Sequence, residues 1–348
     1  MEATGIKVLK MINNSGISML EYFPKEFSKA AELCSDIKID KPINLIVMAG
    51  MGGSSYPGSI CKTYLEDISF DIPIEICRDY SLNKNITEKT LVFVSSYSGN
   101  TDEAVDCYLD AVSKKCQILV ITSGGRLLEL ASKYKTPVVK IIDDHSKTHP
   151  VVSTGYFIGI TLCILENSGL LKGATNEIKT LEGFLYGLKI RGLAKAIAKK
   201  MYNKIPVIYT STKYAESVSR VIKIRLNENA KVPAFYNAFP ELTHYEPASF
   251  IQRYSEFHFV LIEDPGDSFK VNTHITAFER VFAKKYNVTM TKVVMKGENT
   301  LQKIVGVIYL FEWVTLYLAD MYKIDPFSLG ITLDLKKFTS SEKEESQE

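Results

Sequence analysis

Between residues 44 and 142 one pattern recurs: a short unbroken apolar run, a break at small or polar residues, then a stretch with helical periodicity. The apolar runs are Asn44–Ala49 (NLIVMA), Ile74–Cys77, Thr90–Ser95 (TLVFVS), Gln117–Thr122 (QILVIT) and Val138–Ile142. Helical patterns follow over Asp102–Ser113 and Leu127–Tyr134. Strands that are apolar at every position are buried on both faces, and such strands build parallel sheets covered by helices on each side. After a Gly-, Lys- and Asn-bearing connector at Leu170–Thr180 the rhythm restarts. A helix over Ile190–Tyr202 leads to a strand at Pro206–Thr210 and a helical stretch at Ala215–Glu228. A strand at Phe257–Glu263, a helix over Ile275–Tyr286, a strand at Val288–Val294 and a long apolar helix over Ile304–Tyr322 complete the series. The expectation is an α/β chain with two doubly wound parallel sheets, each an αβα sandwich, facing each other across a cleft. In numbers, this is a helical N-terminal extension over 1–40, a first unit over 41–170, a connector and helix over 171–200, a second unit over 201–338 and a disordered polar tail over 339–348.

Composition removes several function classes. The formal net charge is +2 and the pI is near 8.0, so no broad basic field argues for nucleic acid as a partner. An anion site must therefore be local. The six cysteines, Cys34, Cys61, Cys77, Cys107, Cys116 and Cys163, form no CxxC pair and suit reduced thiols in a cytoplasm. The N-terminus has neither the basic flank nor the apolar run of a signal peptide. Ile304–Ala319 is too short to span a membrane and contains Glu312, so it reads as a buried core helix. His145 and His149 have a metal-like spacing, but they sit in a loop beside Asp143 and Asp144 with no frame to orient them; no metal and no cofactor are expected.

Three of the first-half strands end in small hydroxyl or glycine residues. They are Gly50–Ser55 (GMGGSS), Ser95–Thr101 (SSYSGNT) and Thr122–Gly125 (TSGG). Ligands of open α/β sheets bind at the C-terminal strand edge. Glycines let backbone N–H groups approach an anion, and hydroxyls add donors. The bland reading is that these are helix caps and turns. A dinucleotide site is disfavoured because the third glycine of its fingerprint falls on Ser55. These loops hold no P-loop lysine, which fits a monophosphate held by neutral donors better than a triphosphate. Gly52, Gly53, Ser54, Ser96, Ser98 and Thr101 are the candidate phosphate- and sugar-binding residues.

GMGGS at Gly50–Ser54, SYSGNT at Ser96–Thr101 and TSGG at Thr122–Gly125 resemble the sugar isomerase (SIS) domain. RLNENAK at Arg225–Lys231, PELTH at Pro240–His244 and the ending from Asp325-Pro to Leu335-Lys336 resemble the archaeal-type bifunctional phosphoglucose/phosphomannose isomerases over about residues 20–337. The resemblance implies two SIS-type subdomains per subunit and a homodimer whose subunits share the active site. It implies interconversion of glucose 6-phosphate and fructose 6-phosphate, with mannose 6-phosphate second. Moving a proton between C1 and C2 through a cis-enediol needs a base, and the cyclic sugar must first be opened by an acid/base group. By the resemblance Glu228 is the base, aided if partial burial brings its pKa toward neutrality. His244, from the neighbouring subunit, opens the ring. Lys336 assists ring opening or binds the sugar. His258 and His274 are expected to be structural.

Three positions depart from the family pattern. Val151 follows Pro150 where relatives carry an arginine that stabilises the enediolate, leaving Lys147 or His149 as its stand-in. Tyr245 replaces an asparagine after His244, and Leu329 replaces the threonine linked to mannose acceptance. A non-catalytic SIS-type sugar-phosphate sensor is therefore the alternative to an isomerase.

Overall fold

In the computed structural model the described residues are 2–39, 42–141, 153–252, 255–286, 288, 290–328, 330–335 and 338. The first sheet has the order β2-β1-β3-β4-β5, from Leu45–Ala49 (β1), Ile74–Cys77 (β2), Thr90–Ser95 (β3), Gln117–Thr122 (β4) and Val138–Lys140 (β5). The second has the order β7-β6-β8-β9, from Ile205–Ser211 (β6), Phe235–Phe239 (β7), Phe257–Glu263 (β8) and Met290–Val294 (β9). Every pairing in both sheets is parallel. The central strands β1, β3 and β4 are buried throughout, as their unbroken apolar runs require.

The first half carries helices α1 (Glu2–Leu33), α2 (Tyr56–Asp67), α3 (Asp102–Ser113), α4 (Gly125–Tyr134) and α5 (Thr154–Asn167). Two helices, α6 (Ala174–Gly187) and α7 (Arg191–Met201), lead into the second half, which adds α8 (Arg220–Glu228), α9 (Glu246–Ser249), α10 (Phe269–Tyr286) and α11 (Thr300–Tyr322). The two halves repeat one order. In each, a strand leads to a helix that packs near the middle of the molecule (α2 after β1, α8 after β6), and a neighbouring strand lies on the far side.

Strand positions agree with the sequence expectation to within two residues, apart from one omission. β7 reads FYNAF, and Phe235 is 56% exposed. A short edge strand with an exposed aromatic shows neither a continuous apolar run nor clean alternation. The segment expected as a connector, 170–180, is instead mostly the start of α6. Ala174, Ile178, Leu181 and Leu185 are buried at helical spacing, so the period was present. α5 was also unforeseen. It is buried from Thr154 to Leu165, and a helix apolar all round has no period to read.

One continuous core runs through both halves. Phe23, Phe27, Ala30 and Ala31 of α1 pack in it with Ile158, Leu162 and Ile164 of α5 and Val305, Tyr309 and Trp313 of α11. Phe23 meets Phe27 edge-on at 5.5 Å and stacks on Tyr309 at 5.5 Å. α11 is long and apolar enough to cross a bilayer, yet 83% of its most apolar window is buried in the protein, as expected for a core helix. Because Phe27 is completely buried, Phe27→Ala is expected to lower unfolding stability by about 3–5 kcal/mol in urea titrations, with the m-value unchanged.

Candidate active site

The loop after β1 turns through a 3-10 segment, Gly52–Ser54, and Gly52 has φ +49°, a conformation glycine adopts without strain. The loop after β3 turns at Gly99, φ +70°, where a Cβ would stand 1.8 Å from the Gly124 carbonyl oxygen. Sequence reading left open whether these loops are merely caps. Ser55, Thr101 and Gly124 are the N-cap residues of α2, α3 and α4, and none makes a side-chain cap bond. The loop hydroxyls are therefore not used as caps.

Their actual uses differ. The Tyr97 N–H donates to Ser54 Oγ at 3.2 Å, and the Asn100 N–H donates to Ser98 Oγ at 3.2 Å. A hydroxyl whose oxygen accepts from the backbone still has its own proton to give. Ser98 is exposed and Ser54 half-buried, so both can present that proton outward. Ser96 is 1% exposed; it bonds Thr101 Oγ1 at 2.9 Å and accepts from the Gly99 N–H at 3.2 Å. It braces Thr101 from behind. The third loop is also a brace: Ser123 Oγ donates to the Tyr97 carbonyl at 2.7 Å and Thr122 Oγ1 to the Gly124 carbonyl at 2.9 Å. Asp102 and Glu103 already meet the dipole of α3, which leaves loop hydroxyls and backbone N–H groups as the donors for an anion.

Glu228 is the last residue of α8, and its Oε1 lies 3.8 Å from where a Cβ on Gly52 would be. A carboxylate of the second half thus hangs over the first loop of the first half. The flanking asparagines of this segment are structural: Asn227 Nδ2 donates to the Val232 carbonyl at 2.7 Å, and Asn229 Nδ2 donates to Glu312 Oε2 at 3.3 Å and Thr315 Oγ1 at 3.1 Å. Glu228 Oε2 is 3.4 Å from Arg225 Nη1, and the Lys231 ammonium bonds the Glu228 carbonyl.

His244 lies elsewhere. It is exposed, in the 3-10 turn Glu241–His244 that follows β7. Thr212, just beyond β6, donates to the Phe239 carbonyl at 2.8 Å, and its neighbour Lys213 pairs with Asp67 at 2.5 Å. Asp67 ends α2, whereas Tyr56 starts α2 and contacts Arg225. His244 thus stands in the exposed turn after β7, and Glu228 at the end of α8. Tyr245, the departure next to His244, accepts from Asn237 Nδ2 at 3.2 Å through its hydroxyl. Lys336 lies outside the described residues, as do Lys147, His149, Val151 and Leu329.

The matching edge of the second sheet carries charged pairs beside its hydroxyls. Its cavity of about 360 Å³ is lined by Lys213, Asp264, Thr300 and Lys303 among others. Both lysines are occupied by carboxylates, Lys213 by Asp67 at 2.5 Å and Lys303 by Asp264 at 2.7 Å. One sheet edge is open to an anion; the other is closed by internal ion pairs.

Comparison with known proteins shows the family. The chain is 31% identical over 321 residues to the bifunctional phosphoglucose/phosphomannose isomerase of Caldicellulosiruptor bescii, covering 87% of this chain and 92% of that protein. The chain belongs to the bifunctional phosphoglucose/phosphomannose isomerase family. The family member of the same name from Aquifex aeolicus is 31% identical, over 82% of this chain and 87% of that protein. The D-glucosamine-6-phosphate 4-epimerase of Sulfolobus acidocaldarius is 30% identical over 64% of this chain and 69% of its own length. Residues 190–338 match the family described as the bacterial phospho-glucose isomerase C-terminal SIS domain. Among solved structures, the C-terminal domain of glucosamine-fructose-6-phosphate aminotransferase from Francisella tularensis has the same fold, with a TM-score of 0.70 at 14% identity, over 90% of this chain and 98% of that one.

Two residues beside Glu228 escaped the sequence reading as participants: Arg225, read only as part of a motif, and Glu312, read only as an argument against a membrane span. Arg225 lies on the buried face of α8 with Val221, Ile222 and Leu226. A lone charge on an apolar helical face was the available signal.

His258, expected to be structural, is completely buried with Nε2 2.9 Å from Thr291 Oγ1; burial, then Lys204 and Lys200, push its pKa down to about 4. His274 is exposed, with Nδ1 3.3 Å from Thr243 Oγ1.

Gly99→Ala tests the phosphate loop. The added Cβ meets backbone at a positive φ, so the loop must move. We expect affinity for a hexose 6-phosphate, measured by calorimetry, to fall by at least about 10-fold, a loss of ~1.4 kcal/mol, with little change in secondary structure by circular dichroism.

Proposed function

We infer that the chain interconverts glucose 6-phosphate and fructose 6-phosphate, with mannose 6-phosphate as a second aldose, by proton transfer through a cis-enediol. The observation that carries this reading is the Glu228 carboxylate suspended over Gly52 of the open hydroxyl loop. Ser54, Ser98 and Thr101, with the backbone at Gly52 and Gly53, hold the phosphate; Ser96 sets Thr101. This tethers the sugar so that C1 and C2 face the carboxylate. Glu228 takes the proton from one carbon and returns it to the other. Fixing the phosphate makes that transfer effectively intramolecular, a large part of the rate enhancement.

Ring opening needs a second group. The candidate is His244, exposed in the turn after β7. The reading is a homodimer in which His244 of the partner subunit opens the ring, with Lys336 assisting. The protein acts in the cytoplasm, without cofactor or metal. The sensor alternative is favoured by Val151, which stands where relatives place an enediolate-stabilising arginine.

A coupled assay with glucose 6-phosphate and mannose 6-phosphate, with and without EDTA, tests the reaction. Turnover of the first, unaffected by EDTA, is expected. Binding without turnover of either would leave the sensor reading standing, and turnover only of glucosamine 6-phosphate would transfer the chain to the epimerase chemistry of its Sulfolobus relative.

Mixing two inactive variants tests the shared site. Glu228→Gln and His244→Gln are each expected to reduce kcat by 100-fold or more, on the order expected for loss of an acid/base group. After subunit exchange, a shared-site dimer should regain about a quarter of wild-type activity, because half the dimers are mixed and each has one intact site. No recovery from a mixture that demonstrably exchanges would contradict a site shared between subunits.

A further inference from the structure

Five helices meet at Arg225, which is 1% exposed. From α11, Glu312 Oε1 lies 2.6 Å from Arg225 Nε. From α2, the Tyr56 hydroxyl accepts from Nη2 and its ring lies 5.0 Å from the guanidinium carbon. From α5, Thr154 Oγ1 accepts from Nη2 at 3.2 Å and bonds the Tyr56 hydroxyl at 2.6 Å. From α8 itself, Glu228 lies 3.4 Å away. From α1, Glu26 is completely buried nearby and its Oε2 accepts from the Gly155 N–H at 2.8 Å.

We propose that Arg225, fixed by Glu312, Tyr56 and Thr154, is the positioning residue for Glu228: it aims the carboxylate at the substrate and is the buried positive charge that faces it. This rests on Glu228 being the base. Arg225 has no route to the sugar, since its guanidinium is enclosed by these partners. Only its Nη1 side reaches toward the site, and there it meets Glu228. Glu312 divides the same positive charge, so the two carboxylates compete for one guanidinium. Burial alone would lower the pKa of Arg225, but Glu312, Tyr56 and Glu228 more than offset this and it stays charged. Glu26 is the third buried carboxyl of the cluster. Burial raises its pKa well above the usual carboxylate range despite the Gly155 bond, and its Oε1 has no hydrogen-bond partner among the described residues. Burial also raises the pKa of Glu312, opposed chiefly by Arg225, and its direct contact with the guanidinium keeps it the ionised partner. The other cation beside Glu228 is Lys231, exposed, which bonds the Glu228 and Ser328 carbonyls; partial desolvation lowers its pKa, opposed by Asp325 and Glu228.

Two substitutions should move the pH profile in opposite directions. Arg225→Gln removes a positive neighbour, so Glu228 protonates more readily and the acid limb of kcat/KM moves to higher pH by ~0.5–1 unit. Glu312→Gln keeps the shape, removes a competing negative charge and leaves more of the guanidinium's charge to Glu228; the limb moves to lower pH. In both, kcat should fall while KM changes less than twofold, because the phosphate loops are untouched. A packing role alone would shift neither limb, or both the same way. If Arg225→Gln does not fold, Glu312→Gln decides: an acid limb unmoved or moved upward overturns the proposal. Retained turnover in Glu228→Gln would overturn the base assignment itself. A dead Glu228→Gln with unmoved limbs in Arg225→Gln and Glu312→Gln would overturn only the positioning role.

Discussion

The contact between Arg225 and Glu312 holds the site together. Each charge is buried, and each is there because the other is. An ion taken out of water is costly unless it is paired and hydrogen-bonded, and removing one member typically costs about 3–5 kcal/mol because the other is stranded. Here the pair has further obligations. Tyr56 and Thr154 tie the guanidinium to the first half, and Asn229 ties Glu312 to the segment that carries Glu228. A slip between the halves would break several of these bonds at once. The relative position of the hydroxyl loops and the Glu228 carboxylate is thereby fixed by chemistry in the core.

The two halves share a strand order and a helix arrangement but not a surface chemistry. Hydroxyls and glycines line the first sheet edge, whose loops are braced from behind by Ser96, Thr122 and Ser123. At the second edge Asp67 and Asp264 neutralise the lysines Lys213 and Lys303. The second half contributes instead through the end of α8, which reaches back over the first. The end of α2 makes the reciprocal reach, ending in Asp67 beside Lys213. One reach supplies a carboxylate to an open anion site and the other closes its counterpart.

Much of this was legible in the sequence, for a physical reason. Strands such as LIVMA and TLVFVS are buried on both faces and must be apolar throughout, so burial writes the fold directly into them. The hydroxyl loops were legible because a phosphate needs small residues and donors at a strand end. β7 and α5 were harder: one is a partly exposed edge strand, the other a helix with no polar face. The Arg225–Glu312 pair was hidden because its members are 87 positions apart, and neither is informative alone. Read together, a cation and an anion each stranded on an apolar helical face predict one another, since each needs a partner that the surrounding side chains cannot provide. What sequence could not supply was distance, above all the approach of the Glu228 carboxylate to Gly52.

The central claim is that Glu228, suspended over the phosphate loop, moves the proton between C1 and C2. The direct measurement is hydrogen exchange at the reacting carbons, followed by proton NMR of fructose 6-phosphate in deuterium oxide. Exchange at C1 requires removal of a C1 proton from the opened ketose, and some open form is present without catalysis, so loss of exchange with binding retained reports on the base. Wild-type protein should wash deuterium into C1, and Glu228→Gln should bind the sugar phosphate yet leave C1 protonated. Deuterium entering C1 at the wild-type rate in Glu228→Gln would contradict the account.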